Sequence, residues 1–194
     1  EYLVEALPPG AALVITSDHG ESLGEHGEQT HGVFVYDATV RVPLIVKVPG
    51  LTKAGSESDV VVSTVDHYNS ILELLDIPFP EDQVTDGVSY IPALKGKAYE
   101  RGPMYSTFCH YTPATGGRPN ISMRQGPWRF YKFYFDGPDR EHRYELYNLD
   151  DDPAETKDLA TEHPDEVKRL RNRRMLEVQE RISLPQTQAL IGQT

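Results

Sequence analysis

Asp18 and His19 are adjacent, and they stand where the apolar run Ala11-Ala12-Leu13-Val14-Ile15 gives way to a glycine-punctuated stretch, Thr16 to Gly27, reading TSDHGESLGEHG. A carboxylate oxygen and an imidazole nitrogen are both good ligands for a divalent cation. The carboxyl end of a strand in an open α/β sheet is also where ligands usually bind. Asp18 is acceptor-only when ionised and suits a hard cation. His19 has to be neutral at the bonding nitrogen, with its other ring nitrogen oriented by a neighbouring acceptor. The pair is one side of a cage at most, because a cation takes about four to eight donors. The structural alternative is an Asx turn ahead of Gly20. Cys109 offers a second chemistry, a thiol beside His110, but in an extended segment His110 points to the opposite face, so a partly buried strand cysteine is the better reading.

The elements that must position these residues follow from pattern. Residues 11–15 read as a buried strand, and Arg41 to Val48 as a second, stopped by Pro49-Gly50. A polar linker, Thr52 to Asp59, leads through Val60-Val61-Val62 to a helix. Ser63 and Asp66 stand there in capping-box spacing, Val65, Tyr68, Ile71, Leu72 and Leu75 form an apolar stripe, and Pro78-Phe79-Pro80 ends the helix. From Met104 the signals change. Met104–Tyr111, Ile121–Met123, Trp128–Phe135 and Arg143–Leu149 are short β-rich runs separated by Gly-Gly, Gln-Gly and Asp-Gly turns, which predicts an antiparallel meander. His163-Pro164-Asp165 opens a last helix to about Ile182, with Val167, Leu170, Met175 and Val178 near a helical period. The tail from Leu184 reads as an extended arm. The expected division is an α/β part over residues 1–100 and a small α+β part over residues 101–194.

Composition narrows the function classes. Across 194 residues the formal net charge is -11, which argues against a nucleic-acid surface, since polyanion binding rests on a basic face. An anionic substrate would need positive charge supplied locally, by a metal and a few side chains. No apolar run approaches the roughly 20 residues that span a bilayer, and no targeting segment is visible at Glu1-Tyr2-Leu3-Val4. Glu1 to Leu7 reads as the last turns of a helix, so the expectation is a fragment of a longer chain. Cys109 is the sole cysteine, so no intrachain disulfide can form.

Four ordered blocks, VITSDHGESLGEHG, YDATVRVPLIVKVPG, STVDHYNSILELLDIP with DGVSYIPALKG, and ELYNLDDDPAETKDLA, resemble the carboxyl-terminal half of a sulfatase, in the alkaline phosphatase superfamily. The resemblance implies an α/β fold: the carboxyl-terminal part of an alkaline-phosphatase-like α/β sandwich, with a mostly parallel central sheet, plus a small C-terminal antiparallel sheet of four strands packed by a helix. It implies hydrolysis of sulfate esters by a formylglycine nucleophile, made from Cys or Ser and assisted by a divalent metal. Calcium is the first expectation, with manganese, magnesium or zinc as alternatives. Asp18 and His19 then match metal ligands, the second being Asn in many sulfatases and His in others. Family members are often exported, so a periplasmic, extracellular or lysosomal location is expected.

The chain departs from the pattern at Thr30-His31-Gly32. Many sulfatases carry a sulfate-contacting Lys a little before the Arg-Val-Pro block, whereas no Lys occurs between residues 1 and 46 here. His31 stands beside the matching position and is the candidate catalytic and substrate-binding residue, since an imidazole can donate a proton to an anionic oxygen or to a leaving group. His26, on the same loop, is a second candidate substrate contact. For both, the alternative is a histidine that stabilises the loop. Arg41 reads as a structural ion-pair partner, and His67 as facing solvent or a domain seam.

The expected function is therefore the carboxyl-terminal portion of a sulfatase-like hydrolase, acting on a sulfate or phosphate ester and requiring the amino-terminal segment of the same enzyme. The nucleophile motif, Cys or Ser followed by x-Pro-x-Arg, is absent. Cys109 continues as His-Tyr-Thr, and Ser183-Leu184-Pro185-Gln186-Thr187 has Thr where Arg is needed. The formylglycine is thus expected in the amino-terminal part, and the isolated chain is expected to be inactive. Two rivals stand beside this reading: a metal-dependent phosphodiesterase or phosphonate monoester hydrolase fragment, and a non-catalytic binding module on the same scaffold. The aromatic run Trp128 to Phe135 reads as core packing, the basic residues 168–174 as a helix face offset by acids, and Asp150-Asp151-Asp152 as a capping turn.

Overall fold

The computed structural model describes residues 5–110 and 117–182. The readings made for Glu1 to Val4, Tyr111, the Gly116 side of the Gly-Gly turn and the tail from Leu184 lie outside the described residues, as do the side chains of Met175 and Val178. The chain divides into two compact units, residues 1–20 with 40–104, and residues 21–39 with 105–194. No helix among the described residues is long and apolar enough to cross a membrane.

In the first unit, β1 (Leu13–Thr16) pairs antiparallel with β2 (Leu44–Lys47), Leu13 opposite Lys47 and Thr16 opposite Leu44. The intervening segment contains a short helix, α1 (Asp37–Val40), whose residues Asp37 to Thr39 belong with the second unit. Helix α2 (Asp66–Leu74) keeps one half of the expected capping box: the Asp66 carboxylate accepts the Ser63 N–H at 2.8 Å, while Val65 precedes the helix without a side-chain cap. Its apolar stripe, however, is exposed at Val65, Tyr68, Ile71 and Leu75, and the residues it buries are Asp66 and Ser70. The reason lies in what packs there. The DGVS block runs along the polar side, with Val88 N–H donating to Asp66 Oδ1 (2.8 Å), Tyr90 N–H to Ser70 Oγ (3.0 Å) and Asn69 Nδ2 to the Gly87 carbonyl (2.6 Å). Arg101 Nε closes on Asp66 Oδ2 at 3.0 Å, so the buried carboxylate is paired. Gly87 is required by close approach, since a Cβ there would sit 2.3 Å from the Val65 carbonyl oxygen. A further short helix, α3 (Ile91–Leu94), follows.

The second unit is built on the predicted meander: β3 (Met104–Phe108), β4 (Asn120–Gln125), β5 (Trp128–Phe133) and β6 (Arg143–Asn148), in sheet order β3-β4-β5-β6. Register places Met123, Phe130 and Leu146 side by side. These three and Leu170 of helix α4 (Pro164–Ile182) form a buried cluster, with Val167 packed against it. The two described members of the α4 stripe therefore do what their period predicts. The other face of β5 carries Arg129, Tyr131 and Phe133, all buried. Segment 21–39 packs on that face: the Phe34 and Tyr36 rings lie against Phe133 at 6.2 and 6.0 Å, and Tyr36 lies 4.6 Å from Tyr131. Cys109 sits just past β3 and is exposed rather than half-buried in the strand. Arg41 is exposed and makes no ion pair among the described residues, while His67 bonds the Tyr90 hydroxyl at 3.1 Å.

Candidate active-site loop

The chain leaves β1 at Thr16 and turns at once. Ser17 Oγ donates to the His19 carbonyl at 2.8 Å, and the His19 N–H donates to Asp18 Oδ1 at 3.0 Å, a bond to the next residue and not the two-residue bond of the Asx turn considered as the alternative. It leaves the Asp18 side chain 84% exposed. Backbone N–H groups and the neighbouring His19 hold this carboxyl below its ordinary range. His19 Nδ1 lies 2.8 Å from the Gly20 carbonyl oxygen, which can only accept, so Nδ1 carries a proton and, in the neutral ring, the lone pair is on Nε2. Nε2 lies 3.7 Å from Asp18 Oδ2. Two ligand atoms each about 2.0–2.6 Å from one cation stand about 3–4 Å apart. The pair therefore fits one edge of a cation site, with the imidazole in the ligating tautomer and a carbonyl fixing its other nitrogen.

In the second unit, segment 21–39 is a loop closed at its base. The Ser22 N–H donates to the Thr30 carbonyl at 2.8 Å, and the buried Ser22 hydroxyl lies within 3.1 Å of the Glu25 carbonyl and carboxylate and 3.0 Å of the Glu28 carbonyl. Gly24 turns the chain at φ 122, a value side chains rarely adopt. Glu28, also buried, accepts the N–H groups of Val33 (2.8 Å) and Phe34 (3.0 Å). His26 stacks on Tyr36 with ring centroids 3.5 Å apart and planes 7° from parallel, and meets the Tyr147 ring edge-on. Burial pushes its pKa down, so the stacked ring is neutral at pH 7. His31 emerges exposed at the other end of the loop, its Nδ1 3.0 Å from Glu21 Oε2.

A buried polar network secures this loop to the sheet. Tyr36 OH donates to Glu145 (2.6 Å), as does Tyr147 OH (3.0 Å). The Asp37 N–H donates to Glu155 Oε2 (2.8 Å), Arg129 Nη2 pairs with Asp37 Oδ1 (3.0 Å), and Tyr131 OH donates to Glu155 Oε1. Burial raises the Glu155 carboxyl above its ordinary value. It also pushes the Tyr131, Tyr36 and Tyr147 hydroxyls up, so they act as donors. None of these network residues was among the sequence-predicted site residues. The signal for them was an arginine between aromatics on a core strand, matched by acids in two of the recognised blocks.

A model of the family described as N-sulphoglucosamine sulphohydrolase, C-terminal, matches residues 24–181. The chain belongs to the sulfatase family, as a stretch of its carboxyl-terminal half. Arylsulfatase K of Mus musculus is 32% identical over 160 residues, covering 79% of this chain and 27% of that protein. A solved protein in complex with its substrate, D-glucosamine-2-N,6-O-disulfate, superposes with a TM-score of 0.71 at 28% identity, covering 88% of this chain and 34% of the other. The phosphonate monoester hydrolase of Agrobacterium radiobacter has a TM-score of 0.66 at 23% identity over 92% of this chain and 36% of its own. That likeness concerns the fold. The chain thus spans between about a quarter and somewhat over a third of the length of these proteins.

Proposed function

We propose that this chain supplies one side of the catalytic centre of a sulfate-ester hydrolase. Asp18 and His19 hold a divalent cation, calcium in the first instance, and His31 meets the sulfate group. The observation that carries the reading is the Asp18–His19 pair at the end of β1, with Nδ1 of His19 committed to a carbonyl and Nε2 beside the carboxylate. The cation, when bound, would offset charge on the ester oxygens as the ester bond breaks. His31 Nε2 would donate a hydrogen bond to a sulfate oxygen or a proton to the leaving alcohol. One ring face of His26 is covered by Tyr36, so what His26 can offer a substrate is its edge. No Cys or Ser in this chain begins an x-Pro-x-Arg motif, so the nucleophile comes from another part of the enzyme. The exposed apolar residues of the first unit, Ile15 and Ile45 on the strands and Val65, Ile71 and Leu75 along α2, fit a surface that such a part covers.

Manganese, which broadens NMR signals of nearby nuclei, tests the ligand assignment even at weak affinity. Titrated into the chain, it is expected to broaden Asp18 and His19 first, and Asp18→Ala is expected to abolish this. Broadening centred elsewhere, or unchanged in Asp18→Ala, would count against the proposal.

A further inference from the structure

We infer that Glu21 is a positioning residue for His31: its carboxylate holds the proton on Nδ1, so that any proton His31 gives or takes at a substrate passes through Nε2. The inference rests on the reading of His31 as the residue that meets the sulfate.

Glu21 and His31 are ten positions apart in sequence and 3.0 Å apart in space. Both are exposed, and an exposed ion pair by itself is weak grounds for anything. Here the backbone beneath the pair is fixed. The Ser22 N–H to Thr30 carbonyl bond joins the residues immediately inside Glu21 and His31, so the two side chains flank a closed rung. That rung is held from inside the loop by the buried Ser22 hydroxyl and from beyond it by the buried Glu28 carboxylate on Val33 and Phe34. The rung fixes the distance between the two backbones, so the contact costs only the rotamer freedom of the Glu21 and His31 side chains.

The chemical consequence concerns which ring nitrogen works. A neutral imidazole has one donor and one acceptor nitrogen, and a carboxylate can only accept. With Glu21 on Nδ1, the proton sits on Nδ1 and Nε2 is the acceptor. When the ring is protonated, Nε2 is the donor. A lysine at this place would offer a donor whose direction is set by its stem alone. A histidine requires a second residue to choose its tautomer, and Glu21 is built into the loop where that choice is made.

Nitrogen-15 NMR of the imidazole ring in the full chain, above the titration of its histidines, tests this directly. In the native chain His31 is expected to show a pyrrole-type Nδ1 and a pyridine-type Nε2. Glu21→Ala is expected to swap the two, returning the ring to the Nε2–H tautomer that histidine favours in water, with no change in Tm. Glu21→Asp, which keeps a shorter carboxylate, is expected to restore part of the Nδ1–H population. A ring that stays Nδ1–H in Glu21→Ala, or that is Nε2–H in the native chain, overturns the inference. Inorganic sulfate titrated into the same proteins at a pH below the titration of the histidines, where the ring is protonated and Nε2 is a donor, separates the two readings: shifts at His31 Nε2 support its contact with the anion, and their absence counts against that contact while the tautomer result stands alone.

Discussion

Removing the guanidinium of Arg129 should destabilise the second unit far more than the loss of an exposed ion pair would. The side chain is 5% exposed and lies 3.0 Å from Asp37 Oδ1, 3.2 Å from the Tyr131 hydroxyl and 4.0 Å from Glu155 Oε1. In Arg129→Met the aliphatic stem is kept, and two buried carboxylates lose their cation. Stripping one partner from a buried pair costs about 3–5 kcal/mol. Glu155 keeps its bonds from Tyr131 and from the Asp37 N–H, which places the expected loss near the lower end, about 3 kcal/mol. With a urea slope of about 1–3 kcal/mol per M, the midpoint falls by roughly 1–3 M. The double variant Arg129→Met, Asp37→Leu removes charge in a pair and leaves the backbone N–H of residue 37 on Glu155, so it should recover much of the loss. The acid dependence has a defined sign. The Glu155 carboxyl is already raised by burial, and losing the cation raises it further, so the folded variant binds a proton more readily than the unfolded chain. Its deficit should therefore shrink from pH 8 to pH 5. Urea unfolding followed by near-ultraviolet circular dichroism measures all three quantities. A loss under about 1 kcal/mol, or strict additivity in the double variant, refutes the reasoning.

Three further outcomes are expected. His26→Phe keeps a ring on Tyr36 and removes a titrating group. Because burial lowers the His26 pKa from 6.5, its contribution is fully present above pH 6.5 and is lost as the pH falls through the lower folded value. The variant's Tm should therefore drop less than the native chain's between pH 7.5 and 5.5, and an equal drop would assign the acid sensitivity elsewhere. Gly87→Ala drives a methyl into the Val65 carbonyl, 2.3 Å away, and should cost about 1–3 kcal/mol or more in urea unfolding, whereas Gly102→Ala, with nothing within 4 Å, should cost less than 1. The isolated chain should show no aryl sulfate hydrolysis, and turnover above an Asp18→Ala control would show that it carries a nucleophile of its own.

The meander was legible because its turn signals and strand composition are local, and Leu170 and Val167 were placed correctly because a helical period needs only neighbours. The α2 stripe is equally local, and its period did not show that Val65, Tyr68, Ile71 and Leu75 stand exposed in this unit. Period marks a face as apolar but not what covers it, and the partners of this helix within the unit are polar, the DGVS block and Arg101 on Asp66. The short helix α1 escaped notice, since four residues carry too little pattern. The membership of segment 21–39 was beyond local reading altogether. It is decided by Tyr36 and Asp37, whose partners Glu145 and Glu155 lie 109 and 118 positions away. The Asp18–His19 pair was legible as chemistry, because residue type and the preceding strand sufficed. Glu21 was not, since its meaning depends on a backbone rung that sequence does not display.

The blocks that carry the family resemblance therefore divide by physical role. YDAT and ELYNLDDDPAE meet each other through buried bonds, Tyr36 to Glu145 and the Asp37 N–H to Glu155, and so form the joint between a loop and a sheet face. TSDHGE instead exposes its polar groups: Asp18 and Glu21 lie open to solvent, and the bonds they make are to near neighbours or to one exposed histidine. Substitutions in the first set should register in unfolding and those in the second in metal or anion contact, with each set nearly silent in the other assay. The alternation in β5 produces this division. Trp128 and Phe130 face the helix-packed core, while Arg129 and Tyr131 face the loop. One strand thus anchors both the fold and the segment that presents His31.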